Sequence, residues 1–278
     1  MADVATSGEA PSPTVVPVAG YAGATSGADP VRWEGLTGQE LAGQLGVPHV
    51  ALYAAVGSTM DIAHQLAADG APAGTIVLAD EQTAGRGRGG RSWVSHSGSG
   101  IWMTLIERPT DAATVELWSV RHGVHAARAL DPYAGDQIRL KWPNDLYIGS
   151  GKVAGILIEA RWQEQRVLWV AVGIGINVRS PTGVAAPGAL EPGTTRLQAL
   201  TAVVPALRAA AQATGGLTPD ELADCTVRDR SRGQCCREPA VGRVVGIGGR
   251  GELLVETPLG VRAFRSGSLV LDRDTEAA

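Results

Sequence analysis

The sequence predicts an α+β protein, with a mainly antiparallel mixed sheet in its larger part and a small β-barrel at its C-terminal end. Three observations lead there. Two long apolar runs, KVAGILIEAR (152–161) and RVLWVAVGIGINV (166–178), are separated by a few polar residues, which reads as an antiparallel hairpin at the core. Stretches with apolar residues three and four apart intervene between shorter apolar runs, as helices between locally paired strands would. From about Gly233 the chain changes to short apolar segments cut by glycine turns, VGRVVGIGGRGELLVETPLGVRAFRSGSLVL, which fits a small barrel. The expected division is a tail over residues 1–29, a larger domain over 30–232 and a smaller one over 233–278.

Residues 1–29 are rich in Ala, Gly, Ser, Pro and Thr without apolar periodicity, so they are expected to be a disordered tail. LTGQELAGQLGVP reads as a helix from Leu36 to Leu45 stopped by Gly46. Its LA-xx-LGV ending resembles part of a helix-turn-helix, but the strand Val50–Val56 follows too soon for a recognition helix and wing, so a packing helix is expected. Ser58 or Thr59 can cap a helix that carries Ile62, Ala63 and Leu66 on one face, with Asp61 near its positive end and Gly70 as its stop. Strands are expected at Thr75–Ala79, Gly100–Ile106 and Ile138–Leu140. Leu117, Val120, Val124 and Ala127 space as one face of a helix, and Thr218, Pro219 and Glu221 form a helix start with cap, first-turn proline and capping-box acid.

Composition sets limits on function. The 278 residues are 44% hydrophobic, enough for a sizeable core, and 24 Lys and Arg stand against 28 Asp and Glu, a formal charge of −4. No field therefore draws the whole molecule to nucleic acid, and specific DNA binding is not expected. The chain has no apolar run of membrane-spanning length, and MADVATSGEAPSP lacks the features of a signal peptide, so a cytoplasmic protein with no membrane partner is expected. Cys225, Cys235 and Cys236 lack metal-ligand spacing, as do the five histidines, and no metal site is expected.

Two segments carry unusual chemistry. GRGRGGRSW, Gly85–Trp93, puts three guanidiniums and four glycines into nine residues: the glycines let the backbone fold over a ligand, and Arg86, Arg88 and Arg91 offer forked donors for carboxylate or phosphate. Alone it reads equally well as a solvated loop or an RGG-like nucleic-acid tract. KWPND, Lys141–Asp145, places Lys141 at a strand end, where it could serve as a point charge for anions, with Asn144 and Asp145 orienting the turn or assisting a Mg²⁺ through water; a surface lysine beside a Pro-Asn-Asp turn fits as well. GIGIN, Gly173–Asn177, lacks the third glycine and following helix of a dinucleotide fingerprint and more plainly lets a ligand approach the sheet. Gly155 in AGILIE offers a second such gap, or simply a close-packed strand.

Taken together and in this order, GSTMD, EQTAGRGRGGRSW, KWPNDLY, KVAGILIE and VGIGINV resemble the biotin-protein ligases, over roughly Val50–Asn177. The resemblance implies a catalytic domain like class II aminoacyl-tRNA synthetases, an SH3-like C-terminal domain and no winged-helix repressor domain. It implies that biotin and ATP with Mg²⁺ form biotinyl-5'-AMP and that biotin passes to a lysine of a biotin carboxyl carrier protein domain, as in acetyl-CoA carboxylase. By the same resemblance Lys141 and Arg88 are catalytic, biotin contacts Ser58, Thr59, Met60, Gln82, Arg86, Gly87, Arg88, Lys141 and Gly155, and the nucleotide contacts Arg86, Arg88, Arg91, Trp93, Lys141, Asn144 and Asn177. Met60 stands where Asn is common, and Gly89 where a bulky residue is usual. A lipoate-protein ligase and a biotin-responsive transcriptional regulator are the alternatives, and a homodimer is compatible with the sequence.

Overall fold

A computed structural model describes residues 31–184 and 187–272. The expected tail over 1–29 lies outside the described residues. Thr37 closes a capping box with Glu40 to start α1 (Gly38–Leu45), and Gly46 ends it at φ 62°, a left-handed turn that glycine takes without strain. After β1 (Val50–Val56), the Ser58 hydroxyl accepts from the Met60 amide and so caps α2 (Thr59–Ala68). Next come β2 (Ile76–Gln82), β3 (Gly100–Glu107), α3 (Trp118–Leu130), β4 (Arg139–Lys141) and β5 (Asp145–Ile148). The hairpin read from the two apolar runs is β6 (Gly151–Gln163) with β7 (Arg166–Asn177), followed by α4 (Arg196–Gln212) and α5 (Pro219–Arg228). Thr218 and Glu221 close the expected capping box on α5, with Pro219 in its first turn.

These strands form one seven-stranded sheet in the order β1-β2-β3-β7-β6-β5-β4. Only β1 and β2 run parallel within it, joined through α2; the other ladders are antiparallel. Strand alternation decides what each face does. Val172, Ile174 and Ile176 of β7 belong to the same apolar core as Val124 on α3 and Val203 on α4. The intervening Gly173 and Gly175 face the other way, beside Gly155 and Thr104 on the neighbouring strands.

β8 (Cys235–Glu238), β9 (Gly242–Ile247), β10 (Leu253–Thr257), β11 (Gly260–Phe264) and β12 (Val270–Leu271) make a second, antiparallel sheet in the order β11-β10-β9-β8-β12. It is a C-terminal β domain. Its β9–β10 turn accepts, at the Gly251 carbonyl, a 3.0 Å bond from the indole of Trp142, a residue 2% exposed. The KWPND turn is thereby fastened to that sheet by its tryptophan. No helix among the described residues is long and apolar enough to cross a membrane.

Candidate active site

On the glycine face of the sheet lies a recess of about 100 Å³, roofed by the Gly85–Trp93 loop. Its floor is defined by missing side chains. A Cβ at Gly173 would stand 2.7 Å from Met60 Cε, one at Gly155 would stand 3.0 Å from the Trp93 ring, and one at Gly175 would overlap the Trp93 indole nitrogen. Glycine at these three positions lets an indole and a thioether lie flat on the sheet. The space that Gly155 and GIGIN leave over the sheet is filled by the protein's own Trp93 and Met60 side chains. Met60 lines the recess while 2% exposed, its side chain occupying that gap.

The roof is a tight turn. The Trp93 amide donates to Gly85 O (2.8 Å) and the Gly87 amide to Arg91 O (2.7 Å), while Gly89 and Gly90 sit at φ 69° and 76°. The glycine at position 89 therefore matches its backbone, since any other side chain would be held in the left-handed region at a cost of about 1 kcal/mol or more.

One end of the recess is uncharged and rich in hydrogen bonds. The Thr59 amide and hydroxyl donate to Gln82 Oε1 at 2.9 and 3.1 Å, the Thr59 and Thr104 hydroxyls are 2.9 Å apart, and Gln82 Nε2 donates to Ser95 Oγ at 2.9 Å. Because the single Thr59 proton goes to Gln82, Thr104 must be the donor in the hydroxyl pair. Ser58, Thr59 and Thr104 are 3%, 4% and 0% exposed and already bonded within the protein, so a polar ligand that reaches this end must share or exchange those hydrogen bonds.

The opposite end is cationic. Lys152 Nζ lies 2.6 Å from Asp145 Oδ1 and 5.1 Å from the centre of the Trp93 ring. Arg88 reaches across to the carbonyl of Gly267 in the C-terminal domain, and Arg91 Nε donates to Arg88 O at 3.0 Å. Burial, then the neighbouring Arg91, lowers the pKa of Arg88, and Asp145 opposes them. Arg86 points behind the roof to Asp61 (2.9 Å) and Glu159 (3.4 Å).

Most of the residues singled out in the sequence come together here: Ser58, Thr59, Met60, Gln82, Arg86, Gly87, Arg88, Arg91, Trp93, Asn144 and Gly155 all line the recess. Lys141 and Asn177 are not among the lining residues of the recess. Lys141 sits on β4 in register with Asp145, and Lys152 on β6 brings its amine to within 2.6 Å of the Asp145 carboxylate. Asn177 works beneath the site: its Nδ2 donates to Lys152 O (3.1 Å) and Gly188 O (3.0 Å), fixing the backbone that carries the lysine. Asn144 likewise spends its amide on Ile156 O (2.8 Å). Sequence reasoning missed Lys152 and Thr104 as pocket residues. For Lys152 a signal existed: it is the one charge at the head of the apolar run KVAGILIE.

Residues 52–177 match the Biotin/lipoate A/B protein ligase family. The bifunctional ligase/repressor BirA of Bacillus subtilis is 45% identical over 132 residues, covering 47% of this chain and 40% of that protein. A biotin–acetyl-CoA-carboxylase ligase of Paracoccus denitrificans is 43% identical over 125 residues, covering 43% of this chain and 49% of that protein. The chain thus matches less than half the length of these relatives. A solved biotin protein ligase from Aquifex aeolicus, in complex with biotin and ATP, superposes with a TM-score of 0.63 at 24% identity, covering 80% of this chain and 97% of that one; it shares the fold.

Proposed function

With a biotin/lipoate ligase domain over residues 52–177 as premise, we propose that the protein activates biotin with ATP and transfers it to a lysine of a biotin carboxyl carrier domain. The observation that carries this reading is the two-ended recess: a neutral, hydrogen-bonding end at Thr59, Thr104 and Gln82, a flat glycine floor, and a cationic end at Lys152. A ureido ring, a saturated chain and a carboxylate present that same order of chemistry.

In the first step the biotin carboxylate oxygen attacks the α-phosphorus of ATP and pyrophosphate leaves. Both partners are anions, and two like charges about 4 Å apart cost about 4 kcal/mol at an effective dielectric near 20, so fixed cations are what the step needs. Lys152 is assigned that role in place of Lys141, with Arg88 and Arg91 above it. Asp145, the one carboxylate among the lining residues, is already paired with Lys152, so Mg²⁺ belongs with the ATP phosphates as part of the substrate. In the second step the carrier amine attacks the acyl carbon, AMP leaves and an amide forms. The folded loop limits the water that would otherwise hydrolyse the anhydride. The same reading makes the large domain a class II synthetase-like unit and the C-terminal sheet an SH3-like barrel, and places the enzyme in the cytoplasm with its carrier.

Lipoate has a carboxylate and an apolar chain but no ureido group, so it would gain no hydrogen bonds from the Thr59, Thr104 and Gln82 end of the recess. The test is pyrophosphate release from ATP by the full chain. Release that requires biotin and is absent with lipoate is expected; equal release with lipoate would overturn the substrate assignment.

A further inference from the structure

Arg86 belongs to the glycine-rich loop, yet its partners lie outside the recess on two other elements. Asp61 comes from the first turn of α2, and Glu159 from the far part of β6. Glu159 is itself held: its Oε2 lies 2.9 Å from His64 Nε2. The other ring nitrogen, His64 Nδ1, accepts a 3.0 Å bond from the Trp169 indole. An indole N–H can only donate, so Nδ1 carries no proton and the Nε2–H is aimed at Glu159. Arg108 fixes this geometry from behind. It donates to Ala67 O (2.8 Å) at the end of α2 and to Leu168 O (3.0 Å) on β7, beside the Trp169 ring. The strap sets how far His64 on α2 stands from Trp169 on β7.

We propose that His64, oriented by Trp169, is a positioning residue that aims Glu159 at Arg86, so that Glu159 and Asp61 hold the glycine-rich loop folded over the recess before any ligand arrives. The loop is then ordered in advance, and less ordering entropy is lost on binding. The kinetic consequence rests on the function proposed above; the state of the loop does not.

The experiment is trypsin cleavage of the full chain without biotin or ATP, following by mass spectrometry the fragments cut after Arg86 and Arg88. Partly exposed ion pairs of this kind are modest, so Glu159→Gln and His64→Ala are expected to be cut about three- to tenfold faster than wild type. His64→Gln, whose amide can donate in place of Nε2–H, is expected within about twofold of wild type. Asp61→Asn, on the exposed first turn of α2, should be cut faster as well, and it tests the loop without touching the core. In biotin-dependent pyrophosphate release, Glu159→Gln and His64→Ala should raise the apparent KM for biotin by about the same factor, with little change in kcat. Wild-type cleavage rates in Glu159→Gln and Asp61→Asn would overturn the proposal. So would His64→Gln behaving like His64→Ala, since the histidine would then only fill space. Because cleavage is read without ligand, its outcome stands even if the wild-type protein releases no pyrophosphate with biotin.

Discussion

Arginines gather in two regions of this fold, and the regions differ in how much of their donor capacity is already used. Arg121 on α3 is 0% exposed, and each of its nitrogens is bonded: Nε to Glu221 Oε1 (3.0 Å), Nη1 to Ala213 O (3.1 Å), and Nη2 to Gly215 O, Gly216 O and Glu221 Oε2. The Glu221 carboxyl is held below the ordinary carboxylate range despite burial, which pushes it up, because Thr218, His125 and Arg121 all bond to it. In the glycine-rich loop, Arg86 stays 41% exposed and shares its carboxylates with a histidine. The first cluster is saturated and closed to solvent; the second keeps donors that an anion can take over. Unspent donors beside a cavity, more than the number of charges, are what mark a binding site.

Removing a guanidinium from the saturated cluster should cost the most. Arg121→Ala would leave three carbonyls without this donor and Glu221 without its guanidinium, and breaking a buried pair costs about 3 to 5 kcal/mol, readable as a lower urea midpoint. A loss below about 1 kcal/mol would erase the distinction between the regions. In the recess the effect should fall on rate. Lys152→Ala is expected to lower biotin-dependent pyrophosphate release by on the order of 10²-fold or more with little loss of stability, while Lys141→Ala stays within about tenfold of wild type. The reverse ranking would return the role to Lys141.

The smallest expected effect is one of pH, and it belongs to the buried side. His122 on α3 donates Nδ1–H to Trp118 O (2.8 Å), its Nε2 is buried without a hydrogen-bond partner, and burial pushes its pKa down to about 4 from 6.5. The unfolded chain therefore takes up a proton near pH 6.5 that the folded protein accepts only near pH 4, and stability falls as the pH drops through that window. The loss is at most about 3 kcal/mol at the acid end. His122→Phe should flatten that part of the stability profile. An unchanged slope from pH 7 to 4.5 would show that the histidine is protonated in place.

What could be read from the sequence was what local chemistry decides. The capping box at Thr218 and Glu221, the strand Val50–Val56 and the β6–β7 hairpin involve residues close in the chain, and they appear as expected. The parallel pairing of β1 with β2 and the placing of β3 against β7 are distant contacts that no short window encodes. The pairing of Lys152 with Asp145 was hidden for a related reason. It depends on where β5 meets β6, and that ladder shifts register between Leu146 and Tyr147, so counting residues from KWPND does not bring Lys152 beside Asp145. The glycine-rich loop is a third case: its composition says nothing of Asp61 and Glu159, which come from other elements to pair with Arg86.

Asn177 ends β7 with one NH₂ group spanning two carbonyls, those of Lys152 and Gly188. Its shape is nearly that of aspartate, and its meaning to those oxygens is the opposite. An aspartate there would turn two attractions into two repulsions and set a negative charge beneath the backbone of Lys152, without moving an atom of the floor. Of all the single-atom exchanges this protein could undergo, swapping that nitrogen for oxygen is therefore among the least conservative, although most similarity scales score it as nearly neutral.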